Sequence, residues 1–187
     1  MKKALLLVSI LFVSVVSTAC INNFAVQELN TKAKLYMEEG NYKEAIERLK
    51  SSIDLDNTIF ETHYNLAVAY TQAEDYPNAI DAYEKAIKLD DSFPDVYYSL
   101  AVAQGNLAVD LKNGNVRVAD DGSLFVPSLD QLASEADFKP SNEILGRIKN
   151  LYAEAVENYE IYLQKSPEAT DADEVKQKIA ELKDLSK

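Results

Sequence analysis

AKLYMEEGNYKEAIERLKSSIDLD at 33–56 and AVAYTQAEDYPNAIDAYEKAIKLD at 67–90 carry the same pattern one period apart. Ala33, Tyr36, Tyr42, Ala45, Ile46, Leu55 and Asp56 return as Ala67, Tyr70, Tyr76, Ala79, Ile80, Leu89 and Asp90. Self-similarity at a fixed period of this length is the mark of a stacked repeat array, in which one unit cannot bury its apolar face alone. Apolar residues three and four apart divide each copy into two amphipathic helices, near 25–38 and 43–55, then 59–72 and 77–89. Gly40-Asn41 in the first copy, and Asp75 with Pro77 in the second, end one helix and open the next. Proline is tolerated in a first turn because that N–H has no helical partner. The alanines allow close helix crossing, and the tyrosines fill the wedge between helices while their hydroxyls reach its edge.

A third unit begins on schedule. Tyr97, Leu100, Ala101 and Gln104 stand one full period after His63, Leu66, Ala67 and Tyr70. Its second helix is expected late, delayed by more than a whole period, where Ala155, Val156, Tyr159, Tyr162 and Pro167 restore the pattern. The spacing predicts one long helix over 142–164, with Ile144, Ile148, Leu151, Ala155, Tyr159 and Tyr162 facing inward. A last helix is predicted over 171–185, with Val175, Ile179 and Leu182 covering the open end of the stack. Between the third unit's two helices lies an insertion at about 107–141. There Val116, Val118, Leu124 and Val126 alternate around Asp121-Gly122, predicting a β-hairpin with a type I′ turn. Leu129, Leu132 and Phe138 are expected in a short helical turn before Pro140.

The repeated alanines Ala33, Ala45, Ala67 and Ala79, with aromatic residues at Tyr36, Tyr70 and Tyr83, resemble the tetratricopeptide-repeat family over roughly 26–93. The sequence departs from that pattern at Leu49, Ser52, Asn57 and Asp91. The resemblance implies an all-α fold: a right-handed superhelix of antiparallel helix pairs with a hairpin-bearing insertion and a C-terminal capping helix. The expected organisation is a signal segment at 1–19, a linker at 20–25, repeats at 26–59 and 60–93, an interrupted third unit at 94–167 and a cap at 168–187.

The opening stretch, 1–20, is a different polymer. Lys2 and Lys3 precede an uncharged run from Ala4 to Ala19, the layout of a secretion signal. Cys20, the only cysteine, follows Val16-Ser17-Thr18-Ala19, which resembles the lipobox of bacterial lipoproteins. The expectation is a lipid-acylated Cys20 (palmitate) anchoring the chain to a bacterial envelope membrane. Ser17 stands where leucine is usual, and Ser17-Thr18-Ala19 also fits an ordinary cleavage site, so a secreted or periplasmic form stays open. Ile21 rather than aspartate after the cysteine points to the outer membrane, facing the periplasm. Without 1–19 the chain keeps 17 basic against 31 acidic residues, a formal charge of about −14. That balance disfavours nucleic acid, where each phosphate contact needs a cation.

Chemistry-bearing clusters are sparse. One histidine (His63), no tryptophan, no glycine-rich phosphate loop and no metal-ligand spacing lead to no expected enzyme activity, metal or cofactor. Asp120, Asp121 and Ser123 read as turn formers rather than calcium ligands. The expectation is a non-enzymatic scaffold or adaptor holding a peptide or helix of another envelope protein. Its concave face would be lined by Asn30, Lys34, Met37, Tyr64, Asn65, Val68, Gln72, Tyr98 and Val102, with Tyr64 and Tyr98 side by side. The family's best-known peptide binders grip a C-terminal carboxylate with lysine, arginine and asparagine. Lys34 and Asn65 correspond to two of those residues, whereas Asn30, Asp95 and Ser99 replace the others, so that clamp is not expected here. Two further readings are a self-associating structural lipoprotein and a receptor or enzyme for a small envelope ligand near Asp110, Asp120 and Asp130. The inserted segment filling the groove is the bland alternative to any external partner.

Overall fold

The computed structural model describes residues 22–128 and 138–187. Helix α1 covers 22–38. It is followed by α2 (Tyr42–Leu55), α3 (Phe60–Gln72), α4 (Tyr76–Leu89) and α5 (Pro94–Asn113). A two-stranded hairpin, β1 (Arg117–Val118) and β2 (Leu124–Phe125), precedes α6 (Asn142–Lys165) and α7 (Ala172–Leu185). From α2 onward each helix packs chiefly on the next, so the chain is an all-α solenoid of antiparallel pairs, α1–α2, α3–α4 and α5–α6, closed by α7.

The core explains why the alanines recur. Ala33, Ala45, Ala67 and Ala79 are 0% exposed, as are their counterparts Ala101 and Ala155 in the third unit. Helix backbones meet at these points, and a larger side chain would hold them apart. The repeat is also copied in its loops. In the first unit the N–H of Asn41 donates to Tyr36 O (2.8 Å) and that of Gly40 to Met37 O (3.1 Å). In the second, Asp75 donates to Tyr70 O (2.9 Å) and Glu74 to Thr71 O (3.1 Å). This paired bonding closes a helix through a residue of left-handed backbone. Gly40 has φ 76°, but its counterpart Glu74 holds φ 59° with a side chain. Between units, Asp56 Oδ1 accepts from Thr58 N (2.9 Å) and Thr58 Oγ1 (2.7 Å), and Asp90 repeats this with Ser92 at 2.8 and 2.6 Å. These bonds hold both carboxyls below the usual carboxylate range.

The third unit departs from its siblings at its middle. α5 runs on to Asn113 and turns at Gly114 (φ 78°), so the non-helical insertion opens at 114, later than the expected 107. A Cβ on Gly114 would stand 2.6 Å from the Phe138 ring, which brings the two ends of the insertion together. Arg117 stacks its guanidinium over the same ring at 4.9 Å. The expected hairpin is present, but its turn differs. The N–H of Gly122 donates to Ala119 O (2.8 Å), and Gly122 has φ 83°. Asp121 lacks the positive φ that a type I′ turn demands, since Glu74 is the only non-glycine with positive φ among the described residues. The loop is the longer kind, a type I turn closed by a left-handed glycine. The helical turn expected at Leu129 and Leu132 lies in 129–137, outside the described residues, as do 1–21 with Cys20. α6 buries Ile148, Leu151, Ala155, Tyr159 and Tyr162 as the spacing required, and Ile144, in its first turn, is half-buried against the core; α7 buries Val175, Ile179 and Leu182. No helix among the described residues is long and apolar enough to cross a membrane.

Candidate interaction groove

Side chains four positions apart share one face of a helix, so the first helix of each unit offers a stripe to the same side of the stack. On α3 this stripe is Tyr64, Asn65, Val68 and Gln72; on α5 it is Tyr98 and Val102. Tyr64, Asn65, Val68, Gln72, Tyr98 and Val102 differ in depth, and the structure places Tyr64, Val68, Tyr98 and Val102 half-buried against the core. On α1, Lys34 is exposed and Met37 half-buried against the core. Asn30 behaves differently. Its side-chain nitrogen, with two hydrogens to give, lies within hydrogen-bond distance of Val26 O (3.0 Å), Ser52 Oγ (2.8 Å) and Thr62 Oγ1 (3.0 Å). Ser52 and Thr62 are fully buried, so Asn30 ties α1 to α2 and α3.

Tyr64 and Tyr98 each join an aromatic cluster of their own. Tyr64 stacks on Phe60 (5.9 Å between centroids, 9° between planes) and meets Phe93 at 5.5 Å and Tyr83 at 6.0 Å. Tyr98 meets Tyr159 at 5.5 Å and Tyr162 at 5.3 Å. The Tyr64–Tyr83 and Tyr98–Tyr159 pairs are the same contact in successive units, once the late arrival of the third unit's second helix is allowed for. Both tyrosines are therefore packed against neighbouring rings while keeping part of their surface accessible.

Several polar groups beneath this stripe are engaged in bonds, although the Asn30 side-chain oxygen is buried without a partner. Burial, and then the Thr71 and Ser99 hydroxyls, set the environment of the Tyr83 hydroxyl, with the net effect of raising it above the usual phenol range. Tyr162 donates to Asp171 Oδ1 (2.8 Å), and burial, that carboxylate and nearby Asp95 push it up to about 12. Gln104, where the first two units have tyrosine, is buried. It donates to Glu154 Oε2 (3.2 Å) and accepts from Asn158 (2.9 Å), linking α5 to α6. His63 is buried with Nε2 3.0 Å from Asn57 O, so the only imidazole bonds to the loop that enters α3. Asp121 accepts from Ser123 N (2.9 Å) and Oγ (2.6 Å), a turn-forming role. Among the described residues no group of three or more His, Cys, Asp or Glu is placed to hold a metal ion.

Residues 33–73 match the family model described as TPR repeat, and residues 60–93 the one described as Tetratricopeptide repeat. Together the two matches span residues 33–93. A comparison of the sequence with curated proteins finds no match. Solved tetratricopeptide domains share the fold over most of the chain. The second such domain of human RPAP3, in complex with the HSP70 peptide SGPTIEEVD, superposes with a TM-score of 0.59 at 17% identity, covering 87% of this chain and 98% of that one. The TPR2B domain of yeast Sti1, in its pHsp70 complex, gives 0.57 at 20% identity, with 86% and 98% covered. The Yersinia enterocolitica type III secretion chaperone SycD, bound to a peptide of the translocator YopD, gives 0.52 at 13% identity, with 85% and 90% covered. At these identities the likeness is one of fold.

Sequence reasoning missed Phe60 and Phe93, which complete the Tyr64 cluster. The one-turn spacing of Phe60 and Tyr64 was the available signal. It also missed the Gln104–Glu154–Asn158 network, whose members lie far apart in the chain and carry no local pattern.

Proposed function

We propose that the protein is a non-enzymatic adaptor that holds a peptide or helix of another protein on the face formed by α1, α3 and α5. The observation that carries this reading is the half-exposed stripe of tyrosine, amide and small apolar side chains on rigid helices, backed by alanine crossings with no exposed surface. Tyrosine buries area at little entropy cost and amides bond an extended backbone. Lys34, Met37, Tyr64, Asn65, Val68, Gln72, Tyr98 and Val102 form the contact surface, and Asn30 sets the angle of α1 from inside.

Two of the similar domains were solved with a peptide ending in the acidic EEVD and with a translocator segment. An acidic C-terminus suits this groove poorly, because Asp95 stands where a cation would be needed and Asp171 lies beside Tyr162. The partner is instead a neutral or basic segment. In the same reading Cys20 carries the lipid that holds the repeats at the bacterial envelope, at the periplasmic side of the outer membrane.

A photo-crosslinking residue at Gln72, in intact cells, tests the groove. The expected result is one discrete adduct with a different protein, lost when Val68→Asp places a charge in the stripe. An adduct unaffected by Val68→Asp would overturn the groove. An adduct only with copies of this chain would turn the reading to self-association.

A further inference from the structure

A second concavity, lined by other residues than the stripe, lies between the inserted hairpin and the second repeat. Its volume is 650 Å³, and none of the groove residues lines it. Leu107, Val116 and Leu151, all buried, form its base, while Phe125 and Val126 of the hairpin stand exposed on one side, Val126 at 75%. The hairpin is held in place from α6, where Arg147 Nη1 donates to Gly122 O (3.3 Å).

The charge around this cleft is uneven. Glu74 and Asp81 line its α4 side and are exposed, and neither has a cation within ion-pair distance among the described residues. Asp75, between them, is occupied in bonding to Asn78. The acidic field reaches inward: the hydroxyl of Tyr76 is raised by burial and then by Glu74 and Asp110. Glu74 is also the residue that keeps a left-handed backbone where the first repeat uses glycine.

We propose that this cleft is a docking site for a segment of a partner protein that presents large apolar side chains next to lysine or arginine. The apolar base and the Phe125–Val126 side take the hydrophobic anchors, and Glu74 and Asp81 take the cation. A cleft of this size accepts about two or three large side chains rather than a whole helix. An exposed hydrophobic patch rimmed by polar residues is the usual form of such a surface. This site is independent of the groove on α1, α3 and α5, so the protein would engage partners at two places.

The test uses two blocked tetrapeptides, Lys-Leu-Phe-Lys and Glu-Leu-Phe-Glu, titrated into the chain from residue 22 onward, which holds α1 to α7, and followed by backbone NMR. The lysine peptide is expected to shift the amides of Ile80 and of 124–126 saturably. The glutamate peptide should bind at least about tenfold more weakly, the equivalent of one modest ion-pair difference at each end. A Glu74→Gln, Asp81→Asn variant should weaken the lysine peptide about fivefold or more without moving the thermal midpoint downward. Val126→Ser should weaken both peptides. Equal binding of the two peptides, binding that ignores all three substitutions, or no saturable shift at millimolar peptide would each overturn the site. Shifts confined to Val68, Asn65 and Gln72 would do so as well, while leaving the groove reading intact.

Discussion

Glu74 and Glu154 show how single side chains here are set against their surroundings. A left-handed backbone costs an L-residue about 1–2 kcal/mol, and Glu74 bears it at φ 59°. Glu74→Gly should raise the urea midpoint at pH 7, with a net gain of up to about 1 kcal/mol once the extra freedom of glycine in the unfolded chain is deducted. A drop in the midpoint would show that the glutamate side chain makes a stabilising contact that outweighs the strain. Glu154 is raised above the usual carboxylate range, first by burial and then by Glu84 and Glu157. A folded pKa above the unfolded one favours the protonated form, so stability is present in acid and lost as pH rises through the folded pKa. Glu154→Gln keeps the acceptor for Gln104 and removes the charge. The variant should be more stable than the parent at pH 7, with the difference closing as pH falls below the ordinary carboxylate range; a gap that is constant with pH would contradict it. Neither effect was legible in the sequence. Glu74 reads as an ordinary turn residue, and Glu154 meets Glu84 of α4 and Gln104 of α5 only once the chain is folded.

At the scale of helices, the repeat register makes a sharp demand. Ala67 has no exposed surface, so Ala67→Leu should cost about 1–3 kcal/mol through overpacking. Lys88 is exposed near the end of α4, and Lys88→Ala should cost under about 0.5 kcal/mol. Comparable losses in urea midpoint for the two would contradict the register. These helices were legible because their information is local. Apolar residues three and four apart, a glycine or capping aspartate at the breaks, and alanines at a fixed lag all lie within one unit. The long α6 was legible for the same reason, since Ile148, Leu151, Ala155, Tyr159 and Tyr162 keep one face. The hairpin was legible as a hairpin, but its turn was not. Asp-Gly signals a tight reversal, whereas the choice between shorter and longer loops depends on which strand pairs form, here Arg117 with Phe125 and Val118 with Leu124. The cleft under the hairpin was beyond reach. It arises from where the insertion sits relative to α4, α5 and α6, and no spacing in the chain records that.

For the whole molecule, the lipid proposal separates from the fold. With Cys20→Ser, the chain should move from the membrane fraction to a soluble or unprocessed form, while the purified repeats keep the same thermal midpoint. Processing and fractionation identical to the parent would remove the anchor from the account. One consequence of the interrupted third unit concerns the order in which the molecule assembles. The short link 73–75 joins α3 to α4, whereas the whole stretch 114–141 separates α5 from α6. Closing the longer loop costs about 2 kcal/mol more in chain entropy. The first two repeats can form from near neighbours, but α6 and the α7 cap must wait for a distant encounter. Their amides should therefore exchange with solvent through a lower-energy opening than those of α3 and α4. The C-terminal third is then expected to be where a protease enters first, and amide protection in α6 and α7 equal to that in α3 and α4 would contradict this.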